Sequence, residues 1–191
     1  MSAQTINDVF FTIVDRQHDR VFMQKKAGTW VPSTSRDVYR DTVGVARALQ
    51  SYGVAKGDRV SILSENRPEW AIADFATMLI GGIVVPIYPT LTAEQIAWLL
   101  RDAGVKVLFL SSAEQLRKIQ AIRDLVSVEK IVIMDDNASP DAIPMSSLRG
   151  FAPAGRDNEF DRAAKSVRPE DLATIIYTSG TTGQQKGAML S

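Results

Sequence analysis

The chain has 191 residues, of which 45% are hydrophobic and 23% are charged, a composition typical of one ample globular domain with a sizeable core. Its 22 basic and 22 acidic residues cancel, so the overall charge favours neither nucleic acid nor an anionic membrane as a partner. The absence of cysteine excludes disulfides, zinc–thiolate sites, iron–sulfur clusters and thiol catalysis.

The first 53 residues are predicted to form a helix, a hairpin and a second helix. Apolar residues at helical spacing predict an amphipathic helix over residues 5–18. A short hairpin is expected over residues 21–31, with its turn at Ala27-Gly28. The second helix is predicted to begin near a capping Ser35 and to end at Gly53.

Neither a secretory signal nor a transmembrane helix is predicted. The N-terminus has no basic start followed by an apolar block. The most apolar stretch, Met78 to Tyr88, is about half a membrane crossing long and contains two glycines and a proline. A cytoplasmic location is therefore expected, while peripheral membrane contact stays open.

Four short apolar runs recur at regular steps after Gly53. Their markers Val60, Val84, Val107 and Ile131 are separated by 24, 23 and 24 residues. The runs are continuously apolar, as buried parallel strands are, and helical patterns lie between them. The predicted fold class is α/β, with a mostly parallel twisted sheet and helices on both faces. The predicted strands span residues 59–63, 83–87, 105–110 and 130–134. The predicted helices between and after them span residues 68–79, 92–103 and 113–125.

The pattern changes after Asp135. Residues 136–171 predict an irregular connection with one helix at about 156–166, and residues 172–178 predict a further strand. Another apolar run begins at Ala188, close to the final Ser191. We expect the chain to be the N-terminal portion of a larger domain, truncated after a loop at 179–187, and to self-associate through uncovered apolar surface. The division into segments is 1–53, 54–135, 136–171 and 172–191.

The segment from Tyr177 to Gly187 has the composition of a polyphosphate-binding loop. It holds several hydroxyl side chains, three glycines and Lys186. Glycines let the backbone approach an anion closely, hydroxyl and amide groups donate hydrogen bonds, and lysine adds a compact positive charge. The loop also follows a predicted buried strand, at the edge where open α/β sheets bind ligands. It is not a Walker loop, because Gln185 and Gly187 stand where that pattern needs glycine and Ser or Thr. A plain surface turn is the alternative.

This segment closely resembles the phosphate-binding signature of the adenylate-forming superfamily, which includes acyl-CoA synthetases and peptide-synthetase adenylation domains. That signature reads tyrosine-threonine-serine-glycine-threonine-threonine-glycine, any residue, proline, lysine, glycine, and the chain departs from it only at Gln185. The resemblance extends to residues 53–60, 64–70 and 81–90. The sequences of Asn66–Trp70 and Pro86–Thr90 are most similar to those of bacterial long-chain fatty-acid–CoA ligases.

The resemblance implies activation of a carboxylic acid, expected to be a long-chain fatty acid, in two steps that use ATP, Mg²⁺ and coenzyme A. Lys186 would neutralise charge on the departing pyrophosphate, and Thr181 would contact phosphate and, through its hydroxyl, the magnesium. The chain alone is expected to be inactive, because the later family motifs and the adenylation lysine are absent from it. The residues that the resemblance assigns to phosphate binding are Thr178, Ser179, Gly180, Thr181, Thr182, Gly183, Gln184, Gln185 and Lys186.

Two alternatives stay open. An adenylating enzyme for an aryl, short-chain or amino acid would carry the same loop, since the acid pocket lies downstream. A non-catalytic α/β module could use the loop to hold a phosphate ligand. His18 is expected to be exposed or to cap a helix. Asp135-Asp136 is expected to form the polar end of a strand, and Asn66–Pro68 is expected to form the turn between a strand and a helix. Trp70 and Trp98 are expected to pack in or near the core.

Overall fold

A computed structural model of the protein describes residues 3–136, 139–178 and 185–191. Most predicted elements occur within a few residues of their expected bounds, including the helix α3, whose bounds are those predicted. The helices are α1 (Ile6–Asp15), α2 (Ser35–Ser51), α3 (Pro68–Leu79), α4 (Ala93–Asp102), α5 (Ala113–Gln120) and α6 (Asn158–Ala164). The strands are β1 (Phe22–Lys26), β2 (Thr29–Ser33), β3 (Arg59–Leu63), β4 (Ile83–Ile87), β5 (Val105–Leu110), β6 (Lys130–Ile133), β7 (Ile143–Pro144), β8 (Thr174–Thr178) and β9 (Lys186–Leu190).

The main sheet has seven strands in the order β7-β6-β5-β3-β4-β8-β9. All neighbouring pairs are parallel except β8 and β9, which are antiparallel. The chain moves outward from β3 to β4 and then returns to place β5 on the other side of β3, so helices are delivered to both faces. The predicted α/β fold with a mostly parallel sheet is confirmed. Strands β1 and β2 form a separate antiparallel ribbon.

Alternate residues of each central strand enter two different apolar cores. On β5, Val107 and Phe109 belong to the core beneath α1, α2, α3 and α6, whereas Leu108 and Leu110 belong to the core beneath α4 and α5. This division follows from the period of two in a strand, and it explains why the strands read as continuous apolar runs. Helices on both faces are therefore confirmed, and they contribute buried apolar side chains to the two cores.

The cap of α2 is Thr34 and not the predicted Ser35. The Thr34 hydroxyl accepts a hydrogen bond from the backbone N–H of Asp37, and the Asp37 carboxylate accepts one from the backbone N–H of Thr34. Ser35 is buried and serves tertiary structure: its hydroxyl donates to the carbonyl of Ile13 and accepts from the backbone N–H of His18. The two adjacent hydroxyl residues therefore have different roles: Thr34 caps α2, and Ser35 joins the start of α2 to the end of α1 and the turn after it.

The connection after β6 contains more regular structure than its composition suggests. It holds the two-residue strand β7 and a 3₁₀ helix at Met145–Phe151, and then α6, which is shorter than predicted. The buried Asn7 ties α6 to the N-terminal helix, because its side-chain amide donates to the carbonyls of Ala164 at 2.9 Å and Met78 at 3.2 Å. One amide therefore joins α1, α3 and α6 on the same face of the sheet.

The described residues include no helix long and apolar enough to cross a membrane. The edge strand β9 is exposed along its length, with Met189 70% and Leu190 49% accessible to solvent. Apolar surface of this kind is typical of contact faces. Self-association of the chain stays a prediction.

Candidate functional site

The carboxyl ends of the parallel strands meet at one edge of the main sheet, which we call the carboxyl edge. Three loops there lead into helices: residues 64–67 after β3, residues 88–92 after β4 and residues 111–112 after β5. The segment after β8 leaves from the same edge, since β8 runs parallel to β4. Open α/β sheets bind ligands at this edge. The sheet order makes the loop after β4 the direct neighbour of the segment after β8.

The predicted phosphate loop is the connection of an antiparallel hairpin. Thr178 is the last residue of β8 and Lys186 is the first residue of β9, and the two are directly opposite each other in the register. Residues 179–184, which include Ser179, Gly180, Thr181, Thr182, Gly183 and Gln184, lie outside the described residues. Gln185 is half-buried, whereas Thr178 and Lys186 are exposed. The hairpin register thus places the Thr178 hydroxyl at one end of the segment and the Lys186 ammonium at the other, on the same face of the sheet.

Strand β8 is less buried than the sequence predicted. Its residues 174–176 are half-buried, Thr178 is exposed, and only Tyr177 is fully buried. The reason is its position: β8 pairs with β4 through Thr174 alone and with the exposed β9 along its whole length. The apolar run therefore marks a strand near the sheet margin and not one in its centre.

Tyr177 anchors the strand immediately before the loop. Its hydroxyl donates a 2.6 Å hydrogen bond to the Asp102 carboxylate at the end of α4. Its ring meets the Trp98 ring edge-to-face, with the centroids 5.7 Å apart. Burial, together with the neighbouring Asp102 carboxylate, raises the pKa of Tyr177 above its usual value, so the hydroxyl keeps the proton that it donates. The first residue of the motif therefore fixes the hairpin to the body of the domain.

Gly187 is required by packing against the same tyrosine. A Cβ atom at this position would lie 2.7 Å from Ile175 Cγ2 and 3.2 Å from Tyr177 Cζ. At a distance below 3 Å one of the two groups must shift, and the β-branched side chain of Ile175 has few other rotamers available. The sequence interpretation assigned the glycines to close approach of an anion. For Gly187 the structure gives a different reason, which is room for the side chains of the partner strand.

The neighbouring loop after β4 is held by a lysine that the sequence analysis did not single out. The Lys118 ammonium donates to the carbonyl of Pro89 at 2.6 Å and to that of Leu91 at 3.3 Å. Lys118 lies on α5, so it joins that helix to the loop after β4 at the carboxyl edge. Tyr88 in this loop is 69% exposed beside the hairpin in sheet order. No sequence signal marks Lys118, because its partners are backbone carbonyls 27 and 29 residues away.

Arg67 lies in the loop after β3, beside the switch of chain direction between β3 and β5. Its guanidinium donates to Glu69 at 2.9 Å, to Asp135 at 2.8 Å and to the carbonyl of Ser111 at 3.3 Å. These contacts turn Arg67 toward the ends of β5 and β6, away from β8. Arg67 and Asp135 therefore form an ion pair on the β5–β6 side of the sheet, away from the segment after β8.

The other candidates do not form a chemical site in the part of the chain that the structure describes. His18 is exposed, and its backbone N–H is bound by Ser35. Trp70 and Trp98 are partly buried against the two cores, as expected. Within residues 3–136, 139–178 and 185–191, no three His or acidic side chains converge to hold a metal ion. The predicted magnesium contact, Thr181, lies outside these ranges.

The sequence pattern of the AMP-binding enzyme family matches residues 10–191 of the chain. A long-chain-fatty-acid–CoA ligase of Mycobacterium bovis is 36% identical over 166 residues, which cover 86% of this chain and 27% of that protein. A long-chain-fatty-acid–CoA ligase of Rattus norvegicus is 33% identical over 196 residues, which cover 100% of this chain and 29% of that protein. The chain thus spans about a quarter of the length of the curated relatives it matches.

Solved structures share the fold. An anthranilate CoA ligase bound to anthranoyl-AMP superposes with a TM-score of 0.80 at 24% identity, covering 96% of this chain and 34% of that one. A fatty acyl CoA synthetase of Mycobacterium tuberculosis superposes with a TM-score of 0.74 at 23% identity, covering 98% of this chain and 34% of that one. At these identities the likeness concerns the sheet and its helices. The chain thus shares its fold with these two proteins.

Proposed function

The chain belongs to the AMP-binding enzyme family, and from this premise we propose that it supplies the phosphate-binding part of an ATP-dependent acid–CoA ligase. We propose a long-chain fatty acid as the substrate, since the two relatives described above are named long-chain-fatty-acid–CoA ligases. The activity is assigned to a longer protein that contains this chain, because the matched segment covers only 27% of the Mycobacterium bovis relative. A cytoplasmic location fits the balanced charge and the absence of cysteine.

The proposed reaction has two steps, each with a complete exchange of bonds. In the first, a carboxylate oxygen attacks the α-phosphorus of ATP, the bond to the bridging oxygen breaks, and pyrophosphate leaves. In the second, the thiol of coenzyme A loses its proton and attacks the acyl carbon, and AMP leaves with the bonding electrons. The first step is needed because a free carboxylate is a poor electrophile, whereas AMP is a good leaving group.

In this proposal the β8–β9 hairpin binds the β- and γ-phosphates during the first step. The Lys186 ammonium offsets the charge that develops on pyrophosphate, and the hydroxyl groups of Thr178 and the 179–184 segment donate hydrogen bonds to phosphate oxygens. The donor set fits a Mg²⁺·ATP substrate, since magnesium takes oxygen ligands, keeps several waters and shares the phosphates. Thr181 is the proposed magnesium contact. The carboxylate partner would come from the rest of the longer protein.

The observation that carries the proposal is the register of the hairpin. Thr178 and Lys186 are opposite each other, exposed and at the carboxyl edge, so the segment between them begins and ends at neighbouring positions. Tyr177 and Gly187 form the next pair inward and pack together on the other face. The two paired strands thus hold both ends of the donor-bearing segment in place beside one polyphosphate.

Acid-dependent exchange of labelled pyrophosphate into ATP tests the proposal. With the longer protein, we expect palmitate to support exchange well above butyrate, benzoate and amino acids. The 191-residue chain alone should support none, because it spans about a quarter of its relatives. Exchange with benzoate or an amino acid instead would identify a ligase for another acid. Binding of pyrophosphate without exchange by the longer protein would favour a non-catalytic phosphate-binding module.

A further inference from the structure

Asp102 stands at a place where its own helix does not favour a carboxylate. It is the last residue of α4. The carboxyl end of a helix carries partial negative charge, which repels an aspartate, and aspartate is also a weak helix former. A residue that breaks a local rule in this way commonly serves a contact elsewhere in the fold. The contact that Asp102 makes is the hydrogen bond from Tyr177.

The helix α4 receives the side chain of Tyr177 at two points. Trp98 and Asp102 are four residues apart, so they lie on the same side of the helix. Asp102 accepts the Tyr177 hydroxyl at 2.6 Å, a length typical of a charge-assisted hydrogen bond. Trp98 meets the tyrosine ring edge-to-face, at an interplanar angle of 88°. The hydroxyl and the ring are thus both held, which leaves Tyr177 little freedom to rotate.

Tyr177 carries this fixed position into the phosphate-binding hairpin. It lies directly opposite Gly187, and its ring borders the space in which a side chain at that position would lie. The next pair along the hairpin is Thr178 and Lys186, the proposed donors. Strand β8 pairs with β4 through Thr174 alone, at the other end of the strand. The contact with α4 therefore fixes the end of β8 that leads into the phosphate-binding segment.

We propose that Asp102 is a positioning residue for formation of the acyl-adenylate and that it acts through Tyr177. By holding the tyrosine hydroxyl, the carboxylate sets the position of the β8–β9 hairpin, and hence of the Lys186 ammonium, relative to the triphosphate. Asp102 itself touches no substrate. A displacement of about 1 Å in a positioned group can slow a reaction by about 10²-fold. This inference rests on the proposed function, since it concerns the step that the hairpin serves.

Two substitutions that break the same hydrogen bond test the proposal in the longer protein. Asp102→Ala and Tyr177→Phe should each slow acyl-adenylate formation about tenfold and raise the KM for pyrophosphate in the exchange reaction, while the thioester step keeps its rate. The double variant should be no slower than either single variant, because both remove one interaction. Asp102→Asn keeps an oxygen that accepts the hydroxyl, so it should recover most of the rate.

Deuterium exchange measures how firmly the hairpin is held, without any catalysis. Asp102→Ala should speed the exchange of backbone amides in β8 and β9 and leave the central strands unchanged. Asp141→Ala is the matched control. It removes a carboxylate that accepts an equally short 2.6 Å hydrogen bond, from Gln120, close to β7 at the opposite margin of the sheet. This control should change neither the hairpin amides nor either half-reaction.

Failure of the positioning role and failure of the proposed function give different results. Wild-type rates and unchanged hairpin amides in Asp102→Ala, in a protein that forms acyl-adenylate, would overturn the positioning role alone. Equal losses in both half-reactions, with the KM unchanged, would also overturn it, because they would mean a general loss of folded protein. A wild-type protein that forms no acyl-adenylate would overturn the proposed function, whereas faster amide exchange in Asp102→Ala would still show that the carboxylate holds the hairpin.

Discussion

Replacing Lys186 by alanine is expected to slow formation of the acyl-adenylate by about 10²–10³-fold while leaving the thioester step nearly unchanged. The ammonium is proposed to offset charge on pyrophosphate, which is present only in the first half-reaction. Because Lys186 is exposed, the effect should lie at the lower end of this range, since water also screens the charge. The two half-reactions are measured separately, with ATP plus acid and with supplied acyl-adenylate plus coenzyme A.

Two variants control the Lys186 experiment. Lys130→Ala removes an exposed lysine at the amino end of β6, on the opposite edge of the sheet, and should leave both half-reactions intact. Lys186→Arg keeps the positive charge and should recover part of the lost rate. Equal losses in both half-reactions of Lys186→Ala would mean that the residue supports the hairpin and does not act on pyrophosphate. Thr181→Ala should share the asymmetry and add sensitivity to magnesium concentration.

Gly187→Ala is expected to destabilise the fold by about 1–3 kcal/mol, which is the usual cost of overpacking a well-filled site. The added Cβ would lie 2.7 Å from Ile175 Cγ2, and both residues belong to paired strands that cannot move independently. A shift that relieves this close contact would separate β9 from β8 and displace Lys186. The rate of adenylation should therefore fall together with the stability of the fold. Urea unfolding measures the first effect and pyrophosphate exchange measures the second.

Gly155→Ala is the matched control for this substitution. A Cβ at Gly155 meets no atom within 4 Å, and its backbone is not in the left-handed region, so alanine should be neutral or slightly stabilising. Equal stabilities of the two variants would show that Gly187 is not a packing requirement. Gly187 would then be better explained by the sequence interpretation, in which a glycine lets the backbone approach an anion closely.

Most of the fold could be predicted because its strands are buried on two faces. Continuous apolar runs at Arg59–Leu63 and Val105–Leu110, separated by helical patterns, leave few other arrangements. Strand order could not be predicted in the same way, since it depends on contacts between distant residues. The two-residue β7 also escaped prediction, because so short a segment has no measurable periodicity.

The candidate site was predicted by its motif and not by its geometry. Sequence reasoning placed donors at Thr178 and Lys186, but it could not show that they are opposite each other or that β8 lies near the sheet margin. The Tyr177–Asp102 hydrogen bond joins residues 75 positions apart, and no local pattern records such a contact. The prediction of Ser35 as the cap of α2, in place of Thr34, is wrong for a similar reason. The Ser35 hydroxyl donates to the carbonyl of Ile13, which is distant in the sequence, and no local pattern records that contact.

The central claim is that a carboxylate attacks the α-phosphorus of ATP at the carboxyl edge of this sheet. Mass spectrometry of the AMP formed by the longer protein from a fatty acid labelled with heavy oxygen in its carboxylate tests the claim most directly. We expect one labelled oxygen to be transferred from the acid to AMP and no labelled oxygen to appear in pyrophosphate. Label in free phosphate, with ADP as the other product, would contradict it.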